Sequence, residues 1–119
     1  MYYHLYFYVI PKERRDLFLE NLKQVRKNYE FFGALEGEQL YLATDPYPKY
    51  GCVGLTNLLS PGKDEEIWMG ITKFESAEHA EQVLNKLDAD PGAGRLYNEF
   101  VANFPVNRVV RCEFEGPIE

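Results

Sequence analysis

Apolar and polar residues alternate along the first stretch of this chain. Leu5, Phe7 and Val9 fall on one side, and His4, Tyr6 and Tyr8 on the other. That period of two predicts a strand over residues 2–10. Pro11 ends it, because proline cannot donate to a sheet ladder. From Lys12 the period lengthens. Phe18, Leu22, Val25, Tyr29 and Phe32 lie at helical spacing and form one stripe. The other faces of this helix are charged, as a solvated surface would be, and Gly33 is a natural C-cap. Residues 35–44 predict a second strand, with Leu40 and Leu42 against Tyr41 and Ala43. Residues 45–51, with two prolines and a glycine, predict a loop. Residues 52–59 are apolar and β-like, and residues 60–64 form a turn.

The clearest unit follows. Residues 66–74 are mostly β-branched, aromatic or apolar, as a half-buried strand requires. From Ser76 the period changes again. Ala77, Ala80, Val83, Leu84 and Leu87 make a helical stripe, with Ser76 as N-cap and Glu78 favourable in the first turn. Pro91-Gly92 stops this helix. Residues 92–104 predict a short extra helix with Leu96, Phe100 and Phe104 on one side. Residues 107–115 predict the last strand, with Val110, Cys112 and Phe114 facing one way and Val109, Arg111 and Glu113 the other.

This order is strand, helix, strand, strand, helix, strand. It predicts one α+β domain over residues 1–119, a ferredoxin-like βαββαβ arrangement with an antiparallel sheet covered on one face by helices. Leu5, Phe7 and Val9 suit the helix-covered side, as do Trp68, Thr72 and Phe74. The second face then carries His4, Tyr6, Tyr8, Met69, Ile71 and Arg111. It is too aromatic to be left wet. A homodimer joined through this face, with Tyr6 and Tyr8 near its centre, is the simplest expectation.

Composition narrows the function. The hydrophobic fraction of 45% is that of an ordinary globular protein. The net charge of −6 argues against nucleic acid and against anionic membranes as partners. Cys52 and Cys112 have no metal-binding spacing and read as small core residues, with a disulfide left open. The N-terminal stretch has no basic region and no small-residue cleavage site, and no apolar run is long enough to span a bilayer. A cytoplasmic protein is expected.

Candidate chemistry is sparse. His4, flanked by Tyr6 and Tyr8, could act as a general base. The plainer reading is an interface histidine. His79 reads as a surface residue, and the two histidines need not face each other, so no metal site is expected. Gly70, beside Trp68, leaves a gap on the strand that also carries Phe74. Roofed by Tyr97 and Phe100, it could form a small aromatic-lined pocket. The alternative is a filled core in which Gly70 lets Trp68 pack. Asn57 and Arg111 are possible polar anchors. Gly92-Ala93-Gly94 lacks the preceding strand that a phosphate loop needs, and no nucleophile pattern is visible.

Phe32-Gly33-Ala34-Leu35-Glu36, the strand–Ser76–helix unit and Asp90-Pro91 carry a resemblance. The chain resembles the dimeric α/β-barrel superfamily, and within it the YbaA-like bacterial family of unknown function. It departs from that family after Leu35, where Glu38-Gln39-Leu40-Tyr41-Leu42 replaces a Cys-Trp-Gly-Asp-Asp-like run. The resemblance implies two ferredoxin-like subunits packed sheet to sheet around a pocket. Neighbouring families include cofactor-free monooxygenases, muconolactone isomerase-like proteins and haem-degrading enzymes. The haem-degrading enzymes carry Trp where this chain has Phe74 and a haem-ligating His near the equivalent of Leu84, so haem is not expected, and no other cofactor is implied. Two functions follow as expectations. One is binding of a small apolar or aromatic molecule between sheet and helices. The other is cofactor-independent monooxygenase or isomerase chemistry on an aromatic or polyketide-like substrate.

Overall fold

A computed structural model describes residues 1–45 and 50–117. Residues 46–49 of the expected loop lie outside the described residues. The elements are β1 (Tyr2–Pro11), α1 (Arg15–Phe31), β2 (Gly37–Tyr41), α2 (Leu55–Leu59), β3 (Glu65–Phe74), α3 (Ala77–Ala89), α4 (Pro91–Asn103) and β4 (Val109–Glu115). The strands form one antiparallel sheet in the order β2-β3-β1-β4. With α1, α3 and α4 on one face, this architecture is compatible with a ferredoxin-like fold.

Local sequence explains most element ends. Gly33 follows α1 at φ +116°, a left-handed conformation that glycine reaches without Cβ strain. The Ser76 hydroxyl accepts the His79 N–H at 3.0 Å and starts α3. The Asp90 carboxylate accepts the Ala93 N–H at 2.8 Å, and Pro91 supplies a preset first turn, so α4 starts sharply. Pro91 therefore opens one helix as it closes another, and α4 is as long as α3. Residues 52–59 are corrected from β-like chain to a loop followed by the short helix α2. The β2 strand is shorter than the sequence suggests.

The largest correction concerns the faces of the sheet. Register pairs Tyr8 with Trp68, Tyr6 with Gly70 and His4 with Thr72. Paired residues share a face. Tyr8 and Ile10 pack with Phe18 and Leu22 of α1 and Phe100 of α4. Phe74 packs with Ala80, Val83 and Leu87 of α3. The helices thus cover His4, Tyr6, Tyr8, Trp68, Gly70 and Phe74. The opposite face carries Leu5, Phe7, Val9, Met69 and Ile71, with Leu40 from β2 and Val110, Cys112 and Phe114 from β4. Tyr6 goes inward where its hydroxyl accepts from Arg111, and Tyr8 packs its ring against Phe18 and Phe100.

Cys112 lies half-buried on this second face, and Cys52 is exposed, so neither is a core residue. Among the described residues, no helix is long and apolar enough to cross a membrane.

Candidate functional site

A cavity of about 590 Å³ lies between the sheet and the helices α1, α3 and α4. Its apolar wall includes Leu22 and Val25 from α1, Leu84 and Leu87 from α3, and Leu96 and Phe100 from α4. The sheet contributes Tyr6, Tyr8, Gly70, Thr72, Val109 and Arg111, and Tyr29 and Tyr97 reach it from the helices. A mostly apolar concavity with a few convergent polar groups is the usual form of a small-molecule site.

The polar wall is built at the β4 side. Arg111 lies opposite Tyr6 in the register. Its Nε donates to the Tyr6 hydroxyl at 3.1 Å, and its guanidinium carbon stands 5.6 Å from the centre of the Tyr6 ring. Its Nη1 donates to Glu113 Oε2 at 2.6 Å. Burial alone would lower the Arg111 pKa, but the bonds to Tyr6 and Glu113 outweigh it and hold the cation firmly charged. The Tyr29 hydroxyl lies beside that of Tyr6, and the Tyr8 ring stacks on the Tyr6 ring with centroids 5.9 Å apart. Burial pushes the Tyr8 and Tyr29 hydroxyls upward, so both stay protonated and can donate hydrogen bonds.

His4 supports this wall from behind. It is 1% exposed, edge-on to Tyr2 and tilted against Phe74. Nδ1 stands 3.4 Å from Arg111 Nη2, and Nε2 stands 3.7 Å from Glu113 Oε1. Arginine can only donate, so this geometry assigns acceptor duty to Nδ1 and the hydrogen to Nε2. Burial, reinforced by the Arg111 charge, pushes the His4 pKa down, against a smaller opposing pull from Glu113. Glu113 is held below the usual carboxylate range by the Tyr2 hydroxyl first and by Arg111 second. A smaller crevice of about 310 Å³ opens beside Tyr2, His4 and Glu113.

The expected site residues separate into groups. Gly70, Tyr97 and Phe100 line the cavity, and so does the suggested anchor Arg111. Tyr8 fills the expected gap over Gly70: a Cβ there would stand 3.3 Å from Tyr8 Cε2. Trp68 lies away from the cavity, packed against Phe18 and Tyr41, with Nε1 bonded to Glu66 at 3.0 Å. Phe74 is fully buried between His4, Tyr29 and His79. Tyr6 and Tyr8, expected at a dimer interface, line the cavity instead, and His4 lies behind them. Met69 and Ile71 remain on the open face. Asn57 is exposed on α2 and lies outside the cavity lining. His79 caps locally, its Nδ1 accepting the Glu75 N–H at 3.0 Å.

Comparison with family models and with curated proteins gives no match for this chain. Among the described residues, no group of three or more His, Cys, Asp or Glu side chains is arranged to hold a metal ion.

One buried group was not singled out by the sequence pattern. Glu66 is 4% exposed and takes hydrogen bonds from Arg15 Nε at 2.7 Å, Arg15 Nη2 and Trp68 Nε1. The sequence signal is a carboxylate inside the run Glu66-Ile67-Trp68, where a strand turns toward its core.

Proposed function

We propose that this protein binds a small apolar or aromatic molecule in the cavity between its sheet and helices. The observation that carries this reading is the cavity itself: about 590 Å³, walled largely by apolar side chains, with the Tyr6 and Tyr29 phenols gathered at the Arg111 guanidinium. An apolar ligand entering it would gain roughly 25 cal/mol for each Å² removed from water. Oxygenase or isomerase chemistry would need a base facing the ligand. Tyr8 and Tyr29 are pushed the wrong way for that role, and the acceptor nitrogen of His4 is turned to Arg111, which leaves Asp88 as the one carboxylate in the described lining. Binding needs only the cavity and its polar groups, and is the reading adopted. N-phenyl-1-naphthylamine, a neutral fluorescent probe, tests it. The wild type should bind saturably with one probe per chain. Val25→Phe, which adds a ring to the cavity wall, should weaken binding at least about tenfold while far-UV circular dichroism stays unchanged. Absence of saturable binding to the wild type would refute the proposal.

The same reading includes a second copy of this chain on the open sheet face. Leu5, Phe7, Met69 and Ile71 form the middle of that face. Around them Leu40 is 43% exposed, Val110 45% and Phe114 56%. A contiguous apolar surface of this kind favours association. Phe7→Asp should convert a dimer to a folded monomer in sedimentation at micromolar concentration, since a two-fold interface repeats the charge. A monomeric wild type would rule this assembly out.

A further inference from the structure

We infer that the molecule bound in this cavity is an acid: an apolar or aromatic body ending in a carboxylate or phenolate oxygen that meets Arg111 and the paired hydroxyls of Tyr6 and Tyr29. This rests on the reading of the cavity as a binding site. It goes further by naming the ligand's charge and the end of the cavity that receives it.

The first support is the placement of charge. The described cavity lining contains two arginines, Arg26 and Arg111, against one carboxylate, Asp88. Counted with the paired Glu30 and Glu113, the neighbourhood carries no net positive charge, so any pull on an anion comes from direct contact with the lining cations rather than from a net field. The carboxylates that pair with these arginines, Glu30 and Glu113, do not belong to the lining. Glu113 lines the neighbouring crevice with His4, and Arg111 lines the cavity. The guanidinium is thus held by groups outside the cavity lining while bordering the ligand space.

The second support is hydrogen-bond inventory. A guanidinium has five N–H donors. The Arg111 bonds to Tyr6, Glu113 and His4 use three of them, one on each nitrogen. One N–H therefore remains on each terminal nitrogen. The Tyr6 oxygen accepts from Arg111, and Tyr6 and Tyr29 share a hydrogen bond, which uses one of their two phenol hydrogens and leaves the other to donate. The polar end of the cavity is consequently rich in donors, which is the complement of an oxygen anion. The rest of the described lining is largely aliphatic and aromatic, with Arg26 and Asp88 as its other charged side chains.

The test uses two molecules of nearly equal shape, 2-naphthoate and 2-naphthylmethanol, titrated calorimetrically at neutral pH and low salt. The wild type should prefer the carboxylate by at least about tenfold, the size of one hydrogen bond to a charged group. In Arg111→Met that ratio should fall to about one, and Arg111→Lys, which keeps the charge without the fork, should retain part of it. Glu113→Gln removes the competing anion and should raise the ratio. Equal affinities in the wild type would overturn the charge assignment and leave the cavity reading standing. A preference that survives Arg111→Met would overturn the role of Arg111. Failure of both molecules to bind would overturn the inference and the cavity reading together.

Discussion

Two arginine–glutamate pairs sit under the helices of this protein, and they do opposite work. At one end, Arg15 grips Glu66 with two nitrogens, Trp68 adds a third bond, and Tyr41 lies 5.4 Å from the guanidinium carbon. The Glu66 side chain is 2% exposed and the space around it is filled by Trp68 and Phe18. At the other end, Arg111 meets Glu113 where both side chains are more than a third exposed, and the arginine borders a cavity. The first pair fastens the start of α1 to β3. The second keeps a charged donor in place while leaving some of its hydrogens unused. The same two residue types make a rivet in one place and a receptor wall in the other, and burial of the carboxylate separates the cases.

Removing each carboxylate should expose that difference most strongly. Glu66→Ala leaves the Trp68 N–H and an arginine without their buried partner and should cost about 3 kcal/mol of stability. Glu113→Ala removes a solvent-screened pair and should cost about 0.5 kcal/mol. Urea denaturation of the two variants measures both, and equal losses would dissolve the distinction.

Acid should separate the two ends more gently. The folded pKa of His4 lies below its ordinary value of 6.5, because burial and Arg111 oppose its protonation more than Glu113 favours it, while Tyr2 and Phe74 enclose the ring. The unfolded chain therefore takes up that proton first. Stability from this group is complete above about pH 6.5 and declines as pH drops below it. Glu66 is depressed chiefly by Arg15, so its contribution is lost only below the ordinary carboxylate value of 4.5. Between pH 7 and pH 5 the loss should come from the cavity end. His4→Gln should flatten the urea-midpoint profile in that window. A slope unchanged by the substitution would place the titrating group elsewhere.

Much of this architecture was legible in local signals. The Gly33 and Ser76 caps, the strand alternation and the two βα units each depend on residues close in sequence. The choice of covered face was not legible from β1 by itself, since alternation is symmetric and marks two faces without ranking them. Pairing Tyr8 with Trp68 decides it, and that information is carried by register. The helix α2 was missed because its cap comes from far upstream: Asp45 accepts the Leu55 and Thr56 N–H groups at 3.1 and 3.0 Å. Glu66 was missed because its partner, Arg15, is 51 residues away. Gly70, Tyr97, Phe100 and Arg111 were named from sequence and do meet at one cavity. Trp68 and Phe74 share its face but close its ends, where neighbouring rings leave no space.

A crystal structure of the wild type grown with 2-naphthoate tests the central claim most directly. The account predicts the naphthalene ring between Leu22, Leu84 and Phe100, with its carboxylate hydrogen-bonded to Arg111 and the Tyr6 or Tyr29 hydroxyl. A cavity that stays empty at saturating 2-naphthoate, or a ring bound outside it, would contradict the account.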